Sequence, residues 1–81
     1  MVVEIYSWHD GIRVIDKVEY SSLEAWEKDK LLLKLSGTWV GEKIYEISMD
    51  NFNELTETQR NNYPAKADFD REAFINNGAK Q

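Results

Sequence analysis

Hydrophobic and polar residues alternate over the first twenty positions, which predicts two β-strands joined by a tight turn. Residues 2–9 and 12–20 are rich in β-branched and aromatic side chains, and Asp10-Gly11 lies between them. An Asp-Gly pair suits a type I′ turn, because that turn needs positive φ angles at both central residues. We therefore predict a hairpin in which His9 pairs with Ile12 and the numbers of paired residues sum to 21.

This register places favourable side chains opposite each other. The predicted cross-strand pairs are Trp8 with Arg13, Tyr6 with Ile15, and Glu4 with Lys17. They correspond to a cation–π contact, an aromatic–β-branched pair and an ion pair. The odd face of the hairpin carries the odd-numbered residues of the first strand and the even-numbered residues of the second, and the even face carries the others. Both faces are half apolar, and only one of them has to lie in the core.

A helix is predicted to follow the hairpin. Ser21 and Glu24 have the spacing of a capping box, and Leu23 and Trp26 are predicted to form the buried side of the helix. The helix could continue through a run of leucines to a cap at Gly37. We favour an end near Lys30, because the following residues alternate between apolar and polar.

The alternation in residues 33–40 predicts a second hairpin. Its strands are residues 33–40 and 44–49, and Gly41-Glu42-Lys43 forms the turn. If Val40 pairs with Ile44, one side of this hairpin is apolar and the other polar, as a half-buried sheet requires. The turn is the weakest part of the pattern, because three-residue loops usually have glycine at their last position.

The remaining segment predicts short helices. Asp50 is a candidate N-cap, and Thr56 begins a second Thr-x-x-Gln capping signature. Tyr63-Pro64 ends this helical stretch, because the residue before a proline avoids helical angles. Asp68 is a candidate cap for a last helix that ends at Asn77-Gly78.

The elements together predict an α+β fold with the order ββαββαα. Two antiparallel hairpins would form a four-stranded sheet, and two to three short helices would cover one of its faces. The chain has 81 residues, which suits a single domain; we assign residues 1–78 to it and 79–81 to a frayed tail.

Charge and composition narrow the functional classes. The net charge is −5, and acidic residues exceed basic ones in both halves of the chain. The densest basic cluster is Lys28, Lys30 and Lys34, and acids interrupt it, so direct nucleic-acid binding is disfavoured. The chain has no cysteine, no basic and apolar leader, and no apolar run of membrane-spanning length. We expect a cytoplasmic protein with no membrane partner.

Candidate chemistry is sparse. His9 is the sole histidine, and its neighbour Asp10 is needed by the turn, so no catalytic pair is predicted. Asp68-x-Asp70-x-Glu72 lacks the glycine and the final glutamate of a calcium loop. The glycines are isolated and form no phosphate-binding loop. We therefore predict no catalytic residue, no metal ligand and no cofactor.

The aromatic residues point to binding. The chain has ten Phe, Trp and Tyr residues, more than its predicted core positions need. If the odd face of the first hairpin is core, the even face becomes an exposed patch, and such patches suit protein interfaces. The predicted partner-binding residues are Tyr6, Trp8, His9, Arg13 and Ile15. The alternatives are that a helix covers the even face, or that the even face is itself the core.

These features favour a small non-catalytic protein-binding module. Its most concrete form is an inhibitor or regulator of a larger protein, of the kind encoded by phages and mobile elements, with a partner whose surface is basic. One alternative is a nucleic-acid mimic. A second is a small carboxylate-based enzyme or ligand-binding domain, which requires a cleft with at least two ionisable groups. A third is a homodimer formed through the even face or an exposed strand edge.

Overall fold

The computed structural model describes residues 1–64 and 69–77, which form an antiparallel sheet with helices. The elements in chain order are β1 (Val2–His9), β2 (Ile12–Glu19), α1 (Leu23–Ser36), β3 (Trp39–Tyr45), α2 (Met49–Asn53), α3 (Glu57–Asn62) and α4 (Arg71–Asn77). The predicted α+β class with an antiparallel sheet is confirmed. The order of elements in this part of the chain is ββαβααα, with three strands rather than the predicted four.

The first hairpin has the predicted turn and register. Asp10 and Gly11 have φ angles of 50° and 79°, the positive values that a type I′ turn requires. His9 pairs with Ile12, and all eight pairs from there to Val2 with Glu19 have numbers that sum to 21. Turn chemistry therefore sets the alignment of the two strands.

The central strand of the sheet is β1, because β3 adds to its other edge and gives the order β2-β1-β3. Val2 lies opposite Tyr45 and Tyr6 lies opposite Gly41, with a register shift between Tyr6 and Ser7. Residues 2–7 are all buried, including the carboxylate of Glu4. A central strand covered on both faces buries every side chain, so its polar residues need partners inside the protein.

The predicted end of α1 near Lys30 is wrong. The helix continues to Ser36, and Gly37 caps it with a φ angle of 80° while donating its N–H to the carbonyl of Lys34 at 3.2 Å. Leucine is a strong helix former, and glycine adopts the left-handed cap conformation without strain. At the other end, the side chain of Ser22, rather than Ser21, accepts a hydrogen bond from the Ala25 N–H at 3.1 Å.

The predicted second hairpin does not form in the described residues. Residues 33–36 belong to α1, and the supposed turn at residues 41–43 lies inside β3. Residues 39–45 form one continuous strand, β3, which pairs with β1. Ser48, which lies in the predicted fourth strand, caps α2 instead. Pairing with β1 brings β3 between two layers of helices, which buries more apolar surface than an isolated hairpin does.

Helices lie on both faces of the sheet, whereas the sequence predicted one. On the odd face, Trp26 of α1 packs against Val3, Ile5 and Ile44. On the even face, the C-terminal helices supply Phe52, Phe74 and other buried residues described below. The sheet is therefore the middle layer of three.

The C-terminal helices follow the predicted signals in part. Thr56 and Gln59 form the predicted capping box of α3, and Tyr63 has left the helical region before Pro64. At the start of α4, the side chain of Asp70 accepts the N–H of Ala73 at 3.1 Å. Asp68, the predicted boundary at residue 78 and the predicted tail 79–81 lie outside the described residues. None of the helices in residues 1–64 and 69–77 has the length and apolar character needed to cross a membrane.

Candidate functional site

Tyr6, the centre of the predicted binding patch, is fully buried. Its ring stacks on Phe69 with a centroid distance of 4.4 Å and an interplanar angle of 14°, and it packs against Phe74 at 5.3 Å. Its hydroxyl donates a hydrogen bond to the carboxylate of Glu4. A partner cannot reach Tyr6 in this structure, because the C-terminal segment covers the even face of the hairpin. The fold thus corresponds to the alternative in which a helix covers this face.

The other predicted contact residues surround α4 or lie at the hairpin tip. Trp8 is half-buried and meets Phe74 edge-on with a centroid distance of 6.4 Å. Arg13 donates hydrogen bonds to the carbonyls of Phe74, at 3.0 Å, and Ile75, so it binds the C-terminal turn of α4. His9 is exposed at the tip and Ile15 is half-buried. Partner binding by these residues stays a prediction.

The even face also holds a buried carboxylate, Glu4, with four hydrogen bonds. Its Oε1 accepts from the hydroxyls of Tyr6 and Tyr45, the latter at 2.6 Å, and from Arg71 Nε at 2.7 Å. Its Oε2 accepts from Arg71 Nη2 at 3.1 Å. Arg71 therefore binds Glu4 through a two-pronged ion pair, although 67 residues separate them in the chain.

Opposing effects set the pKa of Glu4. Burial alone raises the pKa of this carboxyl, but hydrogen bonds from Arg71, Tyr45 and Tyr6 outweigh burial and hold the pKa below its usual value. Burial, followed by the hydrogen bond to Glu4, raises the pKa of both tyrosines, which keeps them neutral donors. Glu4 is thus ionised and enclosed, which suits an anchor for the fold rather than a group that exchanges protons with a substrate.

Arg71 and Arg60 extend this cluster to α3. Arg71 Nη1 donates to Glu57 Oε1 at 2.6 Å and to Asn61 Oδ1 at 2.9 Å. The guanidinium of Arg60 lies 4.2 Å from the centre of the Phe52 ring, and its Nε is buried with no hydrogen-bond partner among the described residues. The two arginines tie α3 and α4 to the sheet.

Beside this cluster lies a cleft of about 400 Å³, which we call the charged cleft. Its lining consists of Glu4, Ile15, Lys17, Glu57, Arg60, Asn61, Arg71, Glu72, Ile75 and Asn76. Three carboxylates and three cationic side chains meet there, so the cleft has the ionisable groups that a ligand-binding domain requires. The sequence did not reveal it, because its charged residues come from four separate elements.

A second surface is apolar and exposed. Leu31, Leu32 and Leu35 of α1 are 64%, 68% and 82% exposed, and we call these three residues the leucine face. They lie opposite the side of the helix that carries buried Trp26. The predicted strand over residues 33–40 would instead have put Leu35 on its apolar side. The sequence feature that indicates a helix here is the four-residue spacing of Leu31 and Leu35 before a glycine that can cap the helix.

The leucine face has different neighbours on its two sides. On one side, Leu31 lines a shallow depression with Glu27, Lys30 and Lys34. On the other side, Leu32 borders a groove of about 340 Å³ whose far wall includes Val18 of β2. Charged side chains thus flank one side of the leucines, and the exposed edge of the sheet flanks the other.

A metal site would require several histidine, aspartate or glutamate side chains close together in space. Within residues 1–64 and 69–77, no three histidine, aspartate or glutamate side chains come together in a way that could hold a metal ion. The segment Asp68-x-Asp70-x-Glu72, which was compared with a calcium loop above, lies partly outside this range.

Comparisons with known proteins were made for the sequence and for the fold. No protein-family model matches the chain, and no curated protein or solved structure matches it either.

Proposed function

We propose that this protein is a non-catalytic protein-binding module that docks through the leucine face. Its most concrete form is an inhibitor or regulator of a larger protein, acting in the cytoplasm. The observation that carries the proposal is the 64–82% exposure of three leucines on adjacent turns of one helix. Apolar side chains grouped in this way on a folded domain are typical of interaction sites.

The side chains in and around the leucine face indicate which surface properties its partner should have. Fully burying one leucine stabilises a complex by about 1.5–3 kcal/mol, so three leucines can supply the apolar centre of an interface. Glu27 and Lys34 on one flank suit a partner that places a base and an acid beside its own apolar residues. The net charge of −5 favours approach to a basic surface.

The experiment compares capture by the unaltered chain with capture by Leu31→Glu and Leu35→Glu. The matched control is Ile12→Glu, because Ile12 is an apolar residue that is 65% exposed on a different element, at the start of β2. We expect one protein to be retained by the unaltered chain and the control but lost by both leucine variants. With that protein purified, Leu35→Glu should weaken binding at least about tenfold. Equal affinity for all four chains would reject the leucine face as the docking surface.

A second candidate function is the binding of a small zwitterion in the charged cleft. The observation that favours it is the balance of three acids and three bases around a cavity of about 400 Å³. Arg71 and Glu4 neutralise each other, whereas Lys17 and Glu72 are exposed and available to a ligand with both charges.

Nuclear magnetic resonance titration with free amino acids tests this candidate. We expect amide shifts at Lys17 and Glu72, and an affinity about tenfold lower for Lys17→Ala, because a hydrogen bond to a charged group is lost. Lys28→Ala on the outer side of α1 is the control and should bind as the unaltered chain does. Shifts spread over the surface, or none at all, would reject the cleft as a site.

A further inference from the structure

We infer that the leucine face binds a second copy of this chain, with the two α1 helices packed antiparallel about a two-fold axis. The inference rests on the proposed function, because it concerns the same leucine face: in the free protein a second copy covers the face that the larger partner would bind. Closed two-fold dimers are the commonest protein assemblies, and each copy then presents the same patch to the other.

The distribution of charge along α1 favours an antiparallel pair. Residues 23–29 contain three acids and one lysine, for a charge of −2, whereas residues 30–36 contain two lysines and no acid, for +2. In an antiparallel pair each acidic half lies beside a basic half. A parallel pair would put like charges together, and the opposed helix dipoles add to the preference.

Glu27 and Lys34 define where the helices cross. They are seven residues apart, which is about two turns, and both line the depression beside Leu31. Two-fold symmetry brings the same side of each helix together. A crossing point between Lys30 and Leu31 therefore sets Glu27 of one copy beside Lys34 of the other, and the symmetric pair forms at the same time.

The same crossing brings the leucines together. At about 1.5 Å per residue, Leu31 and Leu32 lie within about 3 Å of the crossing point along the axis, so each meets its counterpart. Leu35 lies about 7 Å from that point, next to the aliphatic part of Lys28 in the other copy. The charge pairs and the apolar contacts thus agree on one register.

Two charged residues next to Glu27 and Leu31 already have partners within one chain. Asp29 accepts a hydrogen bond from the Tyr20 hydroxyl at 2.7 Å, and Lys30 pairs with Glu42 at 3.2 Å. Glu27 has no ion-pair partner among the described residues, and Lys34 has only the face of Trp39, 5.3 Å from its ammonium. Glu27 and Lys34 are therefore free to pair with a second copy.

Sedimentation equilibrium tests the association. A single helix pair gives a small interface, so concentrations from about 10 µM to 1 mM are needed. We expect the mass to rise from 9.5 kDa toward twice that value for the unaltered chain and for Ile12→Glu. Leu31→Glu should stay at the monomer mass. Circular dichroism verifies that each variant is folded.

Charge exchange tests the register. Glu27→Lys and Lys34→Glu should each weaken self-association about five- to tenfold, because both symmetric pairs become repulsive. An equimolar mixture of the two variants should recover association, since both pairs are then opposite in sign. The double variant Glu27→Lys with Lys34→Glu should recover it as well. Glu54→Lys, an exposed change just after α2, is the control and should leave association unchanged.

The outcomes separate this inference from the proposed function. A chain that stays monomeric overturns the inference, and the proposed function still stands if Leu35→Glu weakens binding of a purified partner. A dimer that Leu31→Glu leaves intact overturns the inference too, and points to pairing at a strand edge. A dimer that the mixed charge variants do not restore overturns the antiparallel register.

Discussion

At the scale of single residues, Glu4 determines how the C-terminal helices attach to the sheet. The carboxylate is fully buried in the central strand, and it takes hydrogen bonds from β1, β3 and α4. A buried ion pair costs free energy to desolvate and is tolerated when its geometry is good and further hydrogen bonds bind the charged groups. Glu4 meets that condition, so its charge specifies which residues the helices place against it.

Acid should destabilise the protein through Glu4. Its pKa in the folded chain is lowered, so the unfolded chain binds a proton more readily. The stabilising contribution is complete above the ordinary glutamate pKa of about 4.3 and is lost as the pH falls through the lower folded value. We expect the free energy of unfolding, measured with urea, to decrease steadily below about pH 4.3.

Glu4→Gln is the matching variant. At neutral pH it should lose up to about 3–5 kcal/mol, because the buried Arg71 then keeps only the exposed carboxylate of Glu57 as a counter-charge. The variant should also show a shallower decrease in stability with acid. Glu72→Gln, on an exposed carboxylate of the same cleft, should leave both quantities unchanged. Equal acid sensitivity in all three chains would contradict the role given to Glu4.

Gly41 is the second residue whose role depends on its contacts. The predicted turn glycine lies in the middle of β3, opposite Tyr6, and a Cβ there would overlap the ring of Phe69. We expect Gly41→Ala to destabilise the protein by about 1–3 kcal/mol, since the aromatic ring must move. Thermal or urea unfolding measures the loss.

A double-mutant cycle checks the cause. In a Phe69→Ala background, Gly41→Ala should cost little, because the ring that it would displace is absent. If the cost is the same with and without the ring, the contact with Phe69 is not the reason that glycine occupies this position.

At the scale of elements, the N-terminal cap of α1 was predicted one residue too early. Two serines precede the helix, and Ser22 rather than Ser21 caps it. We expect Ser22→Ala to cost about 1 kcal/mol of stability, because the Ala25 N–H loses its acceptor. Ser21→Ala is the matched control and should be nearly neutral. A larger loss from Ser21→Ala would mean that the predicted capping box forms after all.

The hairpin and α1 differ in how much of their structure is local. Asp10 and Gly11 set the register of β1 and β2 through their own φ angles, so the pairing follows from two residues. The C-terminal end of α1, by contrast, depends on whether residues 31–36 form helix or strand. Alternation and helical spacing coexist there, and packing of Trp26 and Leu33 against the sheet decides for the helix.

At the scale of the whole molecule, the sheet is held between α1 and the C-terminal helices. The contacts of α4 come from distant parts of the chain, and Arg13 binds its last carbonyls across 61 and 62 residues of sequence. A short helix is marginal alone, so α4 depends on these contacts.

Arg13→Ala should therefore loosen α4 without unfolding the protein. We expect amide hydrogen exchange in residues 71–77 to quicken about tenfold, in line with the loss of roughly 1–2 kcal/mol of hydrogen bonding. Exchange in α1 should not change. Lys17→Ala, on the same strand, is the control. Faster exchange in every element would mean that Arg13 supports the whole fold rather than α4.

The candidate sites could be predicted only in part from the sequence. The exposed leucines are visible as a run near a glycine cap, but their exposure follows from which side of α1 meets the sheet. The charged cleft was beyond sequence reasoning, because Glu4 and Arg71 are 67 residues apart and no local spacing links them.

By itself the sequence determined the class of the fold, the hairpin register, the capping box of α3 and the stop before Pro64. Each of these depends on residues within a few positions of one another, where φ preferences and capping hydrogen bonds act directly. Only the tertiary structure decided that β3 pairs with β1, that helices cover both faces, and that Tyr6 is buried while Leu35 is exposed. Both faces of the hairpin are half apolar, so the pattern allowed either one as core. In the fold α1 covers the odd face of β1 and α4 covers the even face, so both faces of β1 are buried.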